Sequence, residues 1–165
     1  EPKSERKVNT NHTYHHLYNI PMVCLRFFTV YGPWGRPDMA PFLFTQRILN
    51  DQPIDVYGHG DMARDFTYID DIVDGIVKAV EKNLPWEIMN LGQGNPNTLA
   101  EFIACVETAC GKQAIKNHLP MQPGDVKRTY ADNARAKTLL DWTPQTTLKE
   151  GIEQFVEWYR WHYNV

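Results

Sequence analysis

At 165 residues the chain has the size of one domain, or of part of a larger one. A hydrophobic content of 42% and a charged content of 22% are those of an ordinary globular protein, with ample apolar material for a core. A net charge of −3 excludes a global basic field for nucleic acid, and no run of about 18 apolar residues exists to span a membrane.

In chain order, residues 1–11 ("EPKSERKVNTN") are polar, with no apolar stretch behind their charges, and read as a frayed lead-in rather than a signal peptide. Thr13 to Tyr18 read as the last turns of a helix ending near Asn19 and Pro21. "MVCLRFF" (22–28) is short, apolar and bounded by breakers, the pattern of a buried strand. Arg26 inside it is expected to be paired, because a lone buried charge is costly. The loop "VYGPWGRPDMAPF" (30–42) follows, stiff, aromatic and cationic.

Asp38 is placed to cap a helix through about Leu49, with Pro41 tolerated in its first turn. "PIDVYG" (53–58) and "RDFTYI" (64–69) read as strands. Asp70 then caps a helix with Ile72, Val73, Ile76, Val77 and Val80 on one face. "EIMNLG" (87–92) is a strand stopped by glycine. Thr98 with Glu101, and Thr147 with Glu150, have capping-box spacing ahead of amphipathic helices. Between them "QAIKNHLP" reads as a strand and Asn133 to Trp142 as a short helix. Strands alternating with amphipathic helices predict an α/β layered fold.

Cys24, Cys105 and Cys110 are odd in number and lack CxxC spacing. They point to a reducing, cytoplasmic setting and to small buried apolar residues rather than disulfides or a zinc site. His12 and His16 are four apart, as in a two-histidine metal face, but no third ligand follows, and a solvated helix end explains them.

The arginines carry more chemistry. Arg36 and Arg64 lie on turn-rich segments beside strands, where open α/β sheets bind ligands. Guanidinium forks match phosphate oxygens, so the two can clamp a diphosphate; equally, they can bridge locally to Asp38 and Asp65. Asp125 in the turn "QPGDV" can accept ribose hydroxyls, or simply serve the turn. No G-x-G-x-x-G or P-loop occurs.

Taken in order, "LRFFTVYGPWGRPDM", "PIDVYGHGDMARDFTYIDDIVDGI", "NLG" and "MQPGDVKRTYAD" resemble the C-terminal half of the extended short-chain dehydrogenase/reductase epimerases, the NAD-dependent epimerase/dehydratase family. Within it the match is to the branch acting at C4 of UDP-hexuronates, and it runs from about His12 to the end. The resemblance implies an α/β fold comprising the last Rossmann strand and helix elements plus the small substrate-binding domain, over residues 12–165, with residues 1–11 a poorly matched lead-in. It implies NAD as cofactor, a UDP-sugar as substrate, interconversion of UDP-glucuronate and UDP-galacturonate, and a homodimer in the whole enzyme.

Residue by residue, the resemblance implies Thr29 beside the sugar and its carboxylate. Arg36 would stand at the diphosphate or the sugar's acid end, and Met39 and Phe42 would border the uracil. Tyr57 would lie beside that ring, Arg64 on the diphosphate and Asp125 on the ribose. Gln122 stands where many relatives have arginine. The family's Tyr-x-x-x-Lys pair has no counterpart: its lysine position falls near Ser4 and its tyrosine would precede Glu1. The chain alone is therefore expected to be inactive, with the NAD-binding half absent. A decarboxylase or dehydratase of the same family, or a non-catalytic nucleotide-sugar-binding remnant, are the alternatives.

Overall fold

The computed structural model describes residues 3–121 and 124–165. It opens on helix α1 (Lys3–Tyr18), so the expected frayed lead-in is helical from Lys3. Lys, Glu and Arg are adequate helix formers. The helix is tethered at its far end, where His12 meets Trp86 edge-on at 5.0 Å and His15 stacks on the same ring at 5.4 Å. No helix among the described residues is long and apolar enough to cross a membrane.

Strand β1 (Met22–Phe27) runs parallel to β6 (Trp86–Leu91), with Met22 opposite Trp86 and Phe27 opposite Leu91. The chain then changes sheet. β2 (Thr29–Tyr31) pairs in parallel with β5 (Phe66–Tyr68), and Thr29 N–H donates to the Asp65 carbonyl at 3.0 Å. β3 (Ile54–Tyr57) is parallel to β8 (Lys116–Leu119), and β4 (Ala63–Arg64) is antiparallel to β7 (Asn97–Thr98). Parallel pairs joined through helices are the α/β arrangement that the alternating sequence pattern predicts.

The stretch 64–69 is not one strand. It breaks at Asp65, whose buried carboxylate accepts the main-chain N–H groups of Gln93 (2.7 Å), Gly94 (3.0 Å) and Ala131 (2.8 Å). Those bonds offset the cost of burying the charge and lock three segments together.

Two apolar clusters result. The larger gathers α2 (Ala40–Leu49), α4 (Leu99–Cys110) and α6 (Leu148–Tyr163) around β2, β3 and β5. In it Phe66 stacks on Phe102 at 4.7 Å. Tyr31 points from β2 into α6, where its hydroxyl donates to the Leu148 carbonyl at 3.4 Å, and a Cβ on Gly151 would collide with that hydroxyl. The smaller cluster joins β1 and β6 to α3 (Ile69–Lys82) and α5 (Ala134–Leu140). Its keystone is Trp142, whose indole N–H donates to the Asp71 carbonyl at 2.8 Å. The short helix stops at Leu140 rather than Trp142 because Asp141 turns left-handed (φ 51°), which drops Trp142 into the core.

Both capping boxes form at Thr98/Glu101 and Thr147/Glu150. The aspartate caps do not. Tyr68 is the N-cap of α3, with Asp70 and Asp71 in its first turn; Met39 is the N-cap of α2, without a side-chain bond, because Asp38 is engaged elsewhere. The apolar face expected on α3 is also only partly buried. Ile72 is inside, but Val73, Val77 and Val80 are exposed, and the helix packs through Ile72, Gly75 and Ala79. Small Gly75 lets α3 approach Leu91 and Trp142 closely. β1 is likewise half-buried, and Arg26 is exposed, so it needs no buried partner.

Candidate functional site

A cleft of about 430 Å³ opens where β2, β3 and β4 meet the starts of α2 and α4. Thr29, Met39, Tyr57 and Arg64, four of the residues singled out by sequence, line it together. Leu43, Phe44, Met62 and Leu99 give it apolar walls. Strand alternation explains the lining at β3: Ile54 and Val56 are buried in the core, whereas Asp55 and Tyr57 face the cleft.

Arg64 is held from behind. Its Nη1 donates to the carbonyls of Val126 (2.5 Å) and Ala63 (3.1 Å), and its Nη2 lies 3.7 Å from Asp125 Oδ1. The expected local partner, Asp65, is on the opposite side of the chain, as neighbours in an extended segment must be. The segment carrying Asp125 is fixed by main-chain bonds from Ala63 N–H to Lys127 (2.9 Å) and from Thr129 N–H to Ala63 (3.1 Å). Arg64 and Asp125 are thus brought to one edge of the cleft. Gln122 lies outside the described residues.

Arg36 is placed differently. It donates to Asp38 through Nε (3.0 Å) and Nη2 (2.5 Å), and both side chains are exposed. The local bridge therefore forms, and the Arg36 bond holds the Asp38 carboxyl below its usual range. Arg36 stands on the rim, beside a small hollow it shares with Met39 and Phe42, rather than on the cleft wall. Phe42 needs correction too. It is 7% exposed and packs against Tyr159 (5.2 Å) and Tyr163 (5.8 Å), so it braces the core instead of bordering the cleft. Pro41 and Leu43 take the cleft side of that turn.

The loop that carries Arg36 is stiffened by Trp34, which adopts φ 61° and lies edge-on to Trp158 (5.3 Å) and His162 (4.8 Å) of α6. Sequence reasoning missed Arg47 and Asp55, which line the cleft and approach to 3.7 Å. The one available signal was the polar Asp55 at an outward position of an otherwise apolar strand. Burial pushes the phenols of Tyr31 and Tyr68 above their ordinary value, so both stay protonated at neutral pH.

Parallel strand pairs under helices form an α/β fold, with a cleft where they meet that carries Arg47 and Arg64 against Asp38 and Asp55. Residues 8–92 match the NAD dependent epimerase/dehydratase family, and the chain belongs to it. The chain is 48% identical over 170 residues to Protein CapI of Staphylococcus aureus, covering 92% of this chain and 51% of that protein. It is 45% identical over 171 residues to a probable UDP-glucuronate 4-epimerase of Rhizobium meliloti, covering 92% and 50%. Among solved structures, the UDP-glucuronic acid 4-epimerase of Bacillus cereus in complex with UDP-glucuronic acid and NAD superposes with a TM-score of 0.86 at 42% identity, over 92% of this chain and 49% of that one. The chain spans about half the length of the curated relatives it matches.

Proposed function

We propose that the chain is the substrate-holding half of an NAD-dependent UDP-glucuronate 4-epimerase, which interconverts UDP-glucuronate and UDP-galacturonate. The observation that carries this reading is the single cleft that gathers Thr29, Tyr57 and Arg64 with Asp125 at its edge. Arg64 binds the diphosphate, Asp125 the uridine ribose, and Tyr57 and Met39 flank the base. Thr29 donates to the sugar carboxylate. Arg36, on the loop that leaves the same strand as Thr29, serves the acid end of the sugar once it exchanges Asp38 for the substrate. Phe42 supports the wall from within.

NAD, when bound in the whole enzyme, supplies reversible hydride exchange at the sugar. This chain has no glycine-rich turn to cradle it, so no residue here is assigned to the cofactor. Tyr31 is buried and hydrogen-bonded into α6, so it is not assigned as a base for the C4 hydroxyl. The chain's residues bind, orient and discriminate the sugar nucleotide. The exposed apolar side chains of α1, Leu17 and Tyr18, support a homodimer of the whole enzyme, and the free cysteines a reducing, cytoplasmic setting.

Calorimetric titration of the chain tests this. UDP, UDP-glucose and UDP-glucuronate should all bind, with the glucuronate tightest. Failure of UDP to bind rejects the reading.

A further inference from the structure

The loop that leaves β2 holds a bulky residue where the backbone calls for a small one. Gly35 N–H bonds the Gly32 carbonyl at 3.2 Å, closing a turn with Pro33 in second place and Trp34 in third at φ 61°. Proline suits that second place, and the positive φ of the third calls for glycine or asparagine. An indole there is strained, and strain of this kind persists only where surrounding contacts hold it.

The contacts that hold it are on α6. Trp34 is largely exposed, yet its ring meets Trp158 at 5.3 Å and His162 at 4.8 Å, and those two rings stack on each other at 5.2 Å, 11° from parallel. The indole nitrogen of Trp158 is buried with no acceptor among the described residues, so this platform is kept for its ring packing and not for a hydrogen bond. Tyr31 reaches the first turn of the same helix and Trp34 its last turns, so the start of the loop lies along α6. Arg36 comes two residues after Trp34, between this turn and a second one, in which Met39 N–H bonds the Arg36 carbonyl at 3.2 Å. Its bridge to Asp38 joins two exposed side chains of the same loop and does not tie the loop to the fold. Trp34 supplies that tie.

We infer that Trp34 is a positioning residue for sugar selection. Seated on Trp158 and His162, it holds Arg36 at the rim of the cleft and so sets the preference for a sugar with a charged acid end over a neutral one. The inference rests on the UDP-sugar reading above and on the place given there to Arg36. With the ring seated, Arg36 has only its side chain to order when it leaves Asp38 for the substrate. With the ring gone, the whole loop must be ordered as well, and that cost is subtracted from binding. A neutral sugar makes no use of Arg36, so its binding is indifferent to the latch.

The test is the ratio of the UDP-glucose to the UDP-glucuronate dissociation constant, measured on the chain by calorimetry. A general loss of folding cancels in this ratio. Trp34→Asn keeps the turn, since asparagine accepts the positive φ, and removes the ring. It should lower the ratio about twofold to tenfold, the range that an aromatic pair supplies. Trp34→Phe should keep most of the preference, and His162→Ala should act in the same direction as Trp34→Asn. In a double-mutant cycle, Trp34→Asn should lower the ratio no further once Arg36 is replaced by alanine, because the ring acts through that arginine. Should Trp34→Asn fail to fold, His162→Ala with and without Arg36→Ala decides. A ratio that survives both ring variants, or one that falls just as far on the Arg36→Ala background, overturns the latch and leaves the UDP-sugar reading standing. A chain that binds the two sugars equally overturns the latch together with the uronate assignment, and a chain that binds no UDP overturns the whole reading.

Discussion

Arg64 donates through Nη1 to the main-chain oxygen of Val126 at 2.5 Å, across 62 residues of chain. This bond aims the guanidinium into the cleft before any ligand arrives, and it leaves Nη2 free of a tight partner, 3.7 Å from Asp125. An arginine already held in place gives up less conformational freedom on binding an anion than a mobile surface arginine does.

Replacing that arginine should therefore be costly for binding. Arg64→Ala is expected to raise the UDP dissociation constant roughly tenfold or more, since a hydrogen bond to a charged group is worth about 1.5–3 kcal/mol. Arg36→Ala should leave UDP nearly unchanged and weaken only UDP-glucuronate. Calorimetry on both variants decides; equal losses of UDP in the two would return Arg36 to the diphosphate.

Thr29→Val keeps the shape of the side chain and removes its donor. In the whole enzyme, use of UDP-glucuronate should fall roughly tenfold to a hundredfold, while UDP-glucose binding barely moves. Parallel kinetics and binding on the two sugars read this out. An equal loss for both would make Thr29 a structural residue and remove the main support for a uronate substrate.

Thr29 and Tyr57 were marked out by the resemblance alone; Arg64 was legible locally, from its place on a turn-rich segment beside a strand, and Thr98, Glu101, Thr147 and Glu150 carry their capping chemistry within four residues. The misreadings came where partners are distant. Asp65 looked like a neighbour for Arg64 but is claimed by backbone N–H groups 28 to 66 residues away. Phe42 looked like a wall of the ligand site until α6, more than a hundred residues on, laid Tyr159 and Tyr163 against it. Arg47 and Asp55 belong to different elements, and only the fold sets them face to face.

The capping boxes predict an acid-sensitive stability. The Glu150 carboxyl is drawn below its ordinary value of 4.5 chiefly by the Thr147 hydroxyl, and that of Glu101 chiefly by the Thr98 main-chain N–H. A carboxylate with a depressed folded-state pKa contributes stability above its unfolded value and loses it as pH falls through the folded one. Urea unfolding midpoints should drop from about pH 7 to about pH 3, and less steeply in the double variant Glu101→Gln, Glu150→Gln. An identical slope in the variant would show that the boxes do not contribute.

Val73, Val77 and Val80 leave an apolar stripe on α3, and Phe27 adds to the exposed apolar surface from β1. Such patches drive association. Light scattering should find the isolated chain oligomeric at high concentration, and Val77→Lys with Val80→Lys should shift it towards monomer. A monodisperse monomer without those changes would show that the stripe is tolerated in water.

Because Gly151 admits the Tyr31 hydroxyl where any side chain would collide, the last helix is keyed directly into the short strand that begins with Thr29. The cleft and the C-terminal helix are thereby expected to unfold together, so that a ligand bound in the first should raise the melting temperature of the second. A nucleotide sugar held at a hundred times its dissociation constant would stabilise the native chain by about 2.7 kcal/mol, so a melting curve followed at the helix becomes a binding assay for a site it never touches.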